Sequence, residues 1–139
     1  MSTSSRRPEA DDRPEIFLTT VEHEALSRLV GEFETTGPTG LLQQELERAT
    51  VCEADDLPPD TVGLNRWLHY VDGGGAEPRR IRIVLPAEAD IDAGRVSVLS
   101  YVGAGLIGLT EGQSITWPDP GGRLRRLTPV LVEARTAAP

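Results

Sequence analysis

The hydrophobic spacing of this chain changes once, at Ala49–Thr50, and that change limits what it can fold into more than any other feature. Before it, apolar residues recur every three or four positions; after it, they fall in short alternating runs separated by turn residues. The first spacing puts apolar side chains on one face of a helix, and the second puts them on one face of a strand. A chain with helices first and strands afterwards reads as α+β.

In the first part, Thr19 is placed as a helix N-cap, with Glu22 three residues on to complete a reciprocal capping box. Val21, Leu26, Leu29, Val30 and Phe33 predict a helix over about 20–35, with Glu22, Glu24, Arg28, Glu32 and Glu34 free to remain solvated. The run Thr36-Gly-Pro-Thr-Gly40 is read as its terminator and point of reversal. A second helix from about Leu41 to Ala49 then lies antiparallel to the first, packing Leu41, Leu42, Leu46 and Ala49 against it. At about 16 residues and about 1.5 Å each, the longer arm of this hairpin spans about 24 Å.

The second part predicts strands over 50–53, 63–71, 79–85, 95–98, 114–117 and 124–133. In Arg80-Ile-Arg-Ile83 the arginines fall on an outer face, and Trp67, His69 and Val71 alternate with Leu68 and Tyr70. Asp72-Gly-Gly-Gly75 and Asp119-Pro-Gly-Gly122 are hairpin loops. One short helix, about Tyr101 to Leu109, interrupts the strands with Ser100 as its cap. The organisation expected is a disordered tail over 1–14, a short helical hairpin over 15–50 and a β-rich domain over 51–139.

Charge and cysteine usage narrow the function classes. Twenty-two Asp and Glu stand against 14 basic residues, all of them Arg, so the net field opposes binding to a phosphate backbone. No direct sequence-specific recognition of nucleic acid is expected. Residues 15–50 alone carry seven acidic and two basic side chains. A single cysteine, Cys52, allows no internal disulfide and fits a cytoplasmic protein. No apolar stretch has the length of a signal peptide core or a membrane span.

None of the reactive residue types forms a recognisable catalytic pattern. His23 and His69 fall on different elements without a partner at metal-ligand spacing, so no metal site is expected. Asp90-Ile-Asp-Ala-Gly94 has Gly at the fifth position of a calcium loop and Tyr101 at the twelfth, and reads as a polar turn. Cys52 lies in a strand beside Val51 with no activating base nearby, and is taken as a small core residue. Glu32 and Glu34 sit at the distal tip of the hairpin, where carboxylates are positioned to reach a metal in a partner or simply to be solvated.

The run from Val96 to Trp117, VSVLSYVGAGLIGLTEGQSITW, resembles the signature of the C-terminal domain of Gre transcript-cleavage factors. Gln44 to Cys52, Leu57 to Val62 with Asn65, and Val84-Leu-Pro86 with Ala89-Asp90 are similar to a Gre-related family, the regulators of nucleoside diphosphate kinase. The resemblance spans about 16–134 and leaves room for only a short hairpin where Gre factors carry a long coiled coil.

This resemblance implies an FKBP-like antiparallel β-sheet domain with one short helix. It further implies a noncatalytic, bacterial transcription regulator that docks on RNA polymerase near its secondary channel, competes with Gre factors, and affects nucleoside diphosphate kinase indirectly. Ser100, Tyr101, Val102, Gly103, Ala104 and Leu106 would be the docking segment. Gre factors usually carry Pro where this chain has Tyr101, which exchanges a rigid ring for a larger aromatic anchor. A monomer without cofactor is expected. Two other readings follow from the same likeness: a prolyl isomerase, which needs an aromatic-lined pocket, and a cleavage factor using Glu32 or Glu34.

Overall fold

A computed structural model describes residues 13–73 and 77–134. The tail expected over 1–14 therefore lies almost wholly outside the described residues, as does half of the loop at 72–75. Strand β1 (Phe17–Thr19) runs directly into helix α1 (Thr20–Val30), and helix α2 (Gly37–Arg48) runs into β2 (Thr50–Cys52). Then come β3 (Trp67–Asp72), β4 (Arg79–Val84), β5 (Arg95–Ser97), helix α3 (Tyr101–Leu106), β6 (Ile115–Pro118) and β7 (Leu124–Val132).

The capping box forms as expected. The Glu22 amide donates to Thr19 Oγ1 at 3.0 Å, and the Thr19 amide donates back to Glu22 Oε1 at 3.1 Å. The second Glu22 oxygen accepts the amide of Leu64 at 3.0 Å, so one carboxylate caps α1 and fastens a distant loop to it.

The hairpin differs from expectation at its turn. α1 stops at Val30, where the Gly31 amide donates to Ser27 O at 3.1 Å and the Glu32 amide to Leu29 O at 3.0 Å, and so Glu32 and Glu34 belong to the turn rather than to a helix. α2 starts at Gly37, four residues earlier than expected, because Pro38 sits in its first turn. There the missing N–H removes nothing from the helix and the fixed φ favours it, so this proline begins the helix. The longer arm is thus 12 residues, about 18 Å at about 1.5 Å per residue.

β1 carries no signal of its own in the sequence. It pairs in parallel with β2, Phe17 opposite Thr50 and Thr19 opposite Cys52, and its Phe17 amide donates to Gly108 O at 3.0 Å. The main sheet has the order β5-β4-β3-β7-β6. It is not antiparallel throughout as expected: β4 and β5 are parallel, Arg82 opposite Arg95, because the chain crosses through two short 3₁₀ turns before pairing again. The strand expected from Gly63 begins only at Trp67, since Asn65 adopts φ 65°, a left-handed conformation that Asn tolerates and a strand does not.

One apolar cluster joins both parts of the chain. Ile16, Leu26, Val30 and Leu42 from the helical region share it with Leu68, Ile83, Leu106, Ile115, Trp117 and Leu127. The sheet's other face keeps the arginines that alternation assigned to it. There Arg80 stacks on the Trp67 ring at 4.1 Å, and Glu133 accepts from Arg80 through both oxygens, at 2.6 and 3.0 Å, and lies 2.8 Å from His69 Nε2.

Candidate functional site

The segment at Ser100 is built around one hydroxyl. Ser100 Oγ accepts from the Gly103 amide at 3.0 Å and donates to the Ser97 carbonyl at 2.7 Å, so the cap fixes both the start of α3 and the turn that leads into it. Helix propensity does not explain Tyr101-Val-Gly-Ala-Gly-Leu106, because two glycines in six residues weaken a helix. Close packing does. A Cβ on Gly103 would collide with the Ser97 carbonyl oxygen, and one on Gly105 would come within 2.8 Å of the Trp117 ring. The two glycines let α3 lie directly on the β5 end and on Trp117.

Trp117 is 2% exposed and donates from Nε1 to the carbonyl of Tyr101 at 2.8 Å. A buried indole N–H needs such a partner, and here its bond fixes the backbone of Tyr101 without using its side chain. The Tyr101 hydroxyl lies 3.5 Å from where a Cβ on Gly37 would stand, so the ring reaches the first turn of α2. Thr35, Gly37, Leu41 and Gln44 from the hairpin and the Pro118–Gly122 turn complete a groove around it.

The six residues singled out in this segment divide by burial. Ser100, Tyr101 and Val102 are partly exposed, while Gly103, Ala104 and Leu106 are buried in the core. The surface of the segment is therefore its first turn. Glu32 and Glu34 are both exposed in the hairpin turn, apart from Tyr101, which meets the hairpin at the start of α2. Sequence reasoning missed the contribution of Gly37, Leu41, Gln44 and Pro118–Gly122. Nothing in linear order places those residues beside Tyr101, although the unaccounted N–H of Trp117 signalled that some backbone carbonyl had to meet it.

The remaining reactive groups serve structure. Cys52 is half-buried rather than in the core, and burial, followed by the carboxylates of Asp56, Glu53 and Glu22, pushes its thiol up, away from a reactive thiolate. His23 Nε2 meets the carbonyl of Leu46 at 3.0 Å, joining α1 to α2. Asp90 to Gly94 forms a 3₁₀ turn closed by Gly94 at φ 80°. Among the described residues no three His, Cys, Asp or Glu side chains converge as a metal set. Of the aromatics, Tyr70 and Trp117 are buried, and the groove at Tyr101 and the one between α1 and α2 hold one ring each. Among the described residues no helix is long and apolar enough to cross a membrane.

Residues 57–132 match the family described as transcription elongation factor, GreA/GreB, C-term. Over 128 residues the chain is 30% identical to the regulator of nucleoside diphosphate kinase of Escherichia coli (strain K12), which covers 91% of this chain and 94% of that one. It is 38% identical over 81 residues to transcription elongation factor GreA of Rhodospirillum rubrum, covering 58% of this chain and 52% of that one. A solved structure, the prokaryotic transcription elongation factor GreA/GreB from Nitrosomonas europaea, superposes with a TM-score of 0.68 at 32% identity, covering 86% of this chain and 98% of that chain.

Proposed function

The chain belongs to the GreA/GreB C-terminal family together with the regulator of nucleoside diphosphate kinase, and from that premise we propose that it is a noncatalytic regulator of transcription that docks on RNA polymerase. On this reading it binds near the rim of the secondary channel, in the cytoplasm and as a monomer, and competes there with Gre-type factors. Its effect on nucleoside diphosphate kinase is then indirect, through transcription. The same reading takes the five-stranded sheet with its Ser-capped helix as the FKBP-like domain that the resemblance implies.

One observation carries the proposal. The first turn of α3 presents Tyr101 and Val102 at the surface while its backbone is held from beneath by Ser100, Ser97 and Trp117. A partly exposed aromatic on a backbone that cannot shift loses little entropy on binding, which is what an anchor residue requires. Ser100 positions the turn, and Tyr101 and Val102 make the contact. Gly103, Ala104 and Leu106 act from inside by keeping α3 against the core.

The hairpin supports occupancy rather than cleavage. A cleavage factor would have to deliver Glu32 or Glu34 to a metal deep in the polymerase, and an arm of about 18 Å is short for a channel that Gre factors fill with a long coiled coil. Core polymerase immobilised with and without saturating GreA tests the reading directly. The wild-type chain is expected to be retained and to be displaced by GreA. Retention no better than that of an unrelated acidic protein, or retention indifferent to GreA, would overturn it.

A further inference from the structure

Between α1 and α2 lies an open groove of about 360 Å³. Its floor is Val30 and Leu46, and Phe33, 49% exposed, forms its distal wall. Two antiparallel helices offer such a groove to a third, whose apolar ridge packs between them. No described element of this chain supplies that third helix.

The charge around the groove selects what fits. Glu47 lines it, and Glu24, Glu32 and Glu34 each adjoin a lining residue in the chain. Among the described residues these four carboxylates make no ion pair and no side-chain hydrogen bond, and Arg28 is the one cation of the same stretch in that condition. Arg48, next to Glu47, is already spent on Glu45 and the carbonyl of Pro14.

Two occupants are disfavoured by what the chain itself contains. A second copy would bring the same excess of carboxylates on its own hairpin and be repelled. The chain's own residues 1–12, MSTSSRRPEADD, hold no large apolar side chain beyond Met1 to seat on Val30 and Leu46. The chain also leaves residue 13 in the wrong place, because Arg13 is paired with Glu45 at 2.7 Å, about 200° around α2 from Glu47 at about 100° per residue.

We infer that the α1–α2 groove is a docking site for a basic amphipathic helix of a partner protein. Apolar residues of that helix at i, i+3 or i+4, and i+7 seat on Val30, Phe33 and Leu46, and Lys or Arg on its flanks face Glu47 and the carboxylates of the turn. This goes beyond docking through Tyr101 and does not depend on it.

A labelled peptide of about 18 residues, five helical turns, made only of Leu and Lys in an amphipathic pattern, serves as the probe. Its Leu and Glu counterpart is the control, and fluorescence anisotropy at about 0.15 M salt, where diffuse attraction is screened, gives affinity. The Lys peptide is expected to bind, and Phe33→Ala and Glu47→Lys are each expected to weaken it roughly tenfold, the loss of a central interface contact. Asp56→Lys, the same charge change at an exposed site away from the groove, and Tyr101→Ala are expected to leave it almost unchanged.

Equal weakening by Asp56→Lys and Glu47→Lys would reduce the effect to net charge and overturn the inference. So would equal binding of the Glu peptide, indifference to Phe33→Ala, or no binding of the Lys peptide. Phe33 and Glu47 are both exposed, so neither variant threatens folding, and circular dichroism of each confirms that. Because the readout contains no polymerase, failure here is distinguishable from failure of the docking proposal.

Discussion

At the scale of single residues, Tyr101 and Glu133 separate function from stability. Trp117 bonds the carbonyl of Tyr101 and not its ring, so Tyr101→Ala keeps the buried bond and removes the partly exposed ring, the proposed anchor. It is expected to weaken binding to core polymerase by about 2 kcal/mol or more, the scale of an interface hot spot, and to lower the thermal midpoint less than Gly105→Ala does; titration calorimetry and melting curves check the two halves. Glu133 is different, because the Arg80 guanidinium, first, and then His69 hold its carboxyl well below the usual range, at about 2. A carboxyl whose folded-state pKa is depressed adds stability that is complete above its ordinary value, near 4.5, and is lost as pH falls toward the folded value. Acid titration of the unfolding free energy is expected to show that loss between 4.5 and about 2, and Glu133→Gln to flatten the curve in that window alone.

Among the elements, α1 and α3 are both set by their caps, yet they respond to substitution for different reasons. Thr19→Ala removes one hydrogen bond of a reciprocal pair and is expected to cost about 1 kcal/mol in denaturant unfolding. Gly105→Ala would favour α3 by helix propensity and still destabilise the protein, because the added methyl meets the Trp117 ring at 2.8 Å. Overpacking of this kind costs about 1–3 kcal/mol, and the sign of the change in unfolding midpoint decides between propensity and packing. The elements also mark where local reading works. Thr19, Glu22 and Ser100 are legible because a cap and its helix are neighbours in sequence. The turn at 31–36 is not legible locally, because Gly37 and Pro38 serve equally as a stop signal and as the first turn of a helix, and only the packing of α2 against α1 selects the second. β1 was invisible because three residues carry no periodicity, and its partner β2 lies more than thirty residues away.

For the whole molecule, the short hairpin on a shared core predicts inhibition without chemistry. In backtracked transcription complexes the chain is expected to reduce GreA-stimulated transcript shortening in proportion to its concentration and to produce none alone, on gels of labelled RNA. The double variant Glu32→Ala with Glu34→Ala is expected to behave in the same way, and shortening that disappeared with those substitutions would reverse the assignment. Much of this architecture was readable from the amino acids alone. The change of periodicity at Ala49 gave helices and then strands, the arginine alternation in β4 gave the solvated face, and the run from Val96 to Trp117 gave the family, because all three depend on residues close together in the chain. The shape of the candidate site did not follow from the same information. The division of the Ser100–Leu106 segment into a partly exposed first turn and a buried remainder depends on Trp117, and the groove around Tyr101 depends on α2 and the Pro118–Gly122 turn. The parallel β4–β5 pair and the groove between α1 and α2 likewise arise from contacts between distant segments. Local sequence determines which face of an element is apolar; only the packed chain determines what that face meets, since burial is settled by all the elements at once.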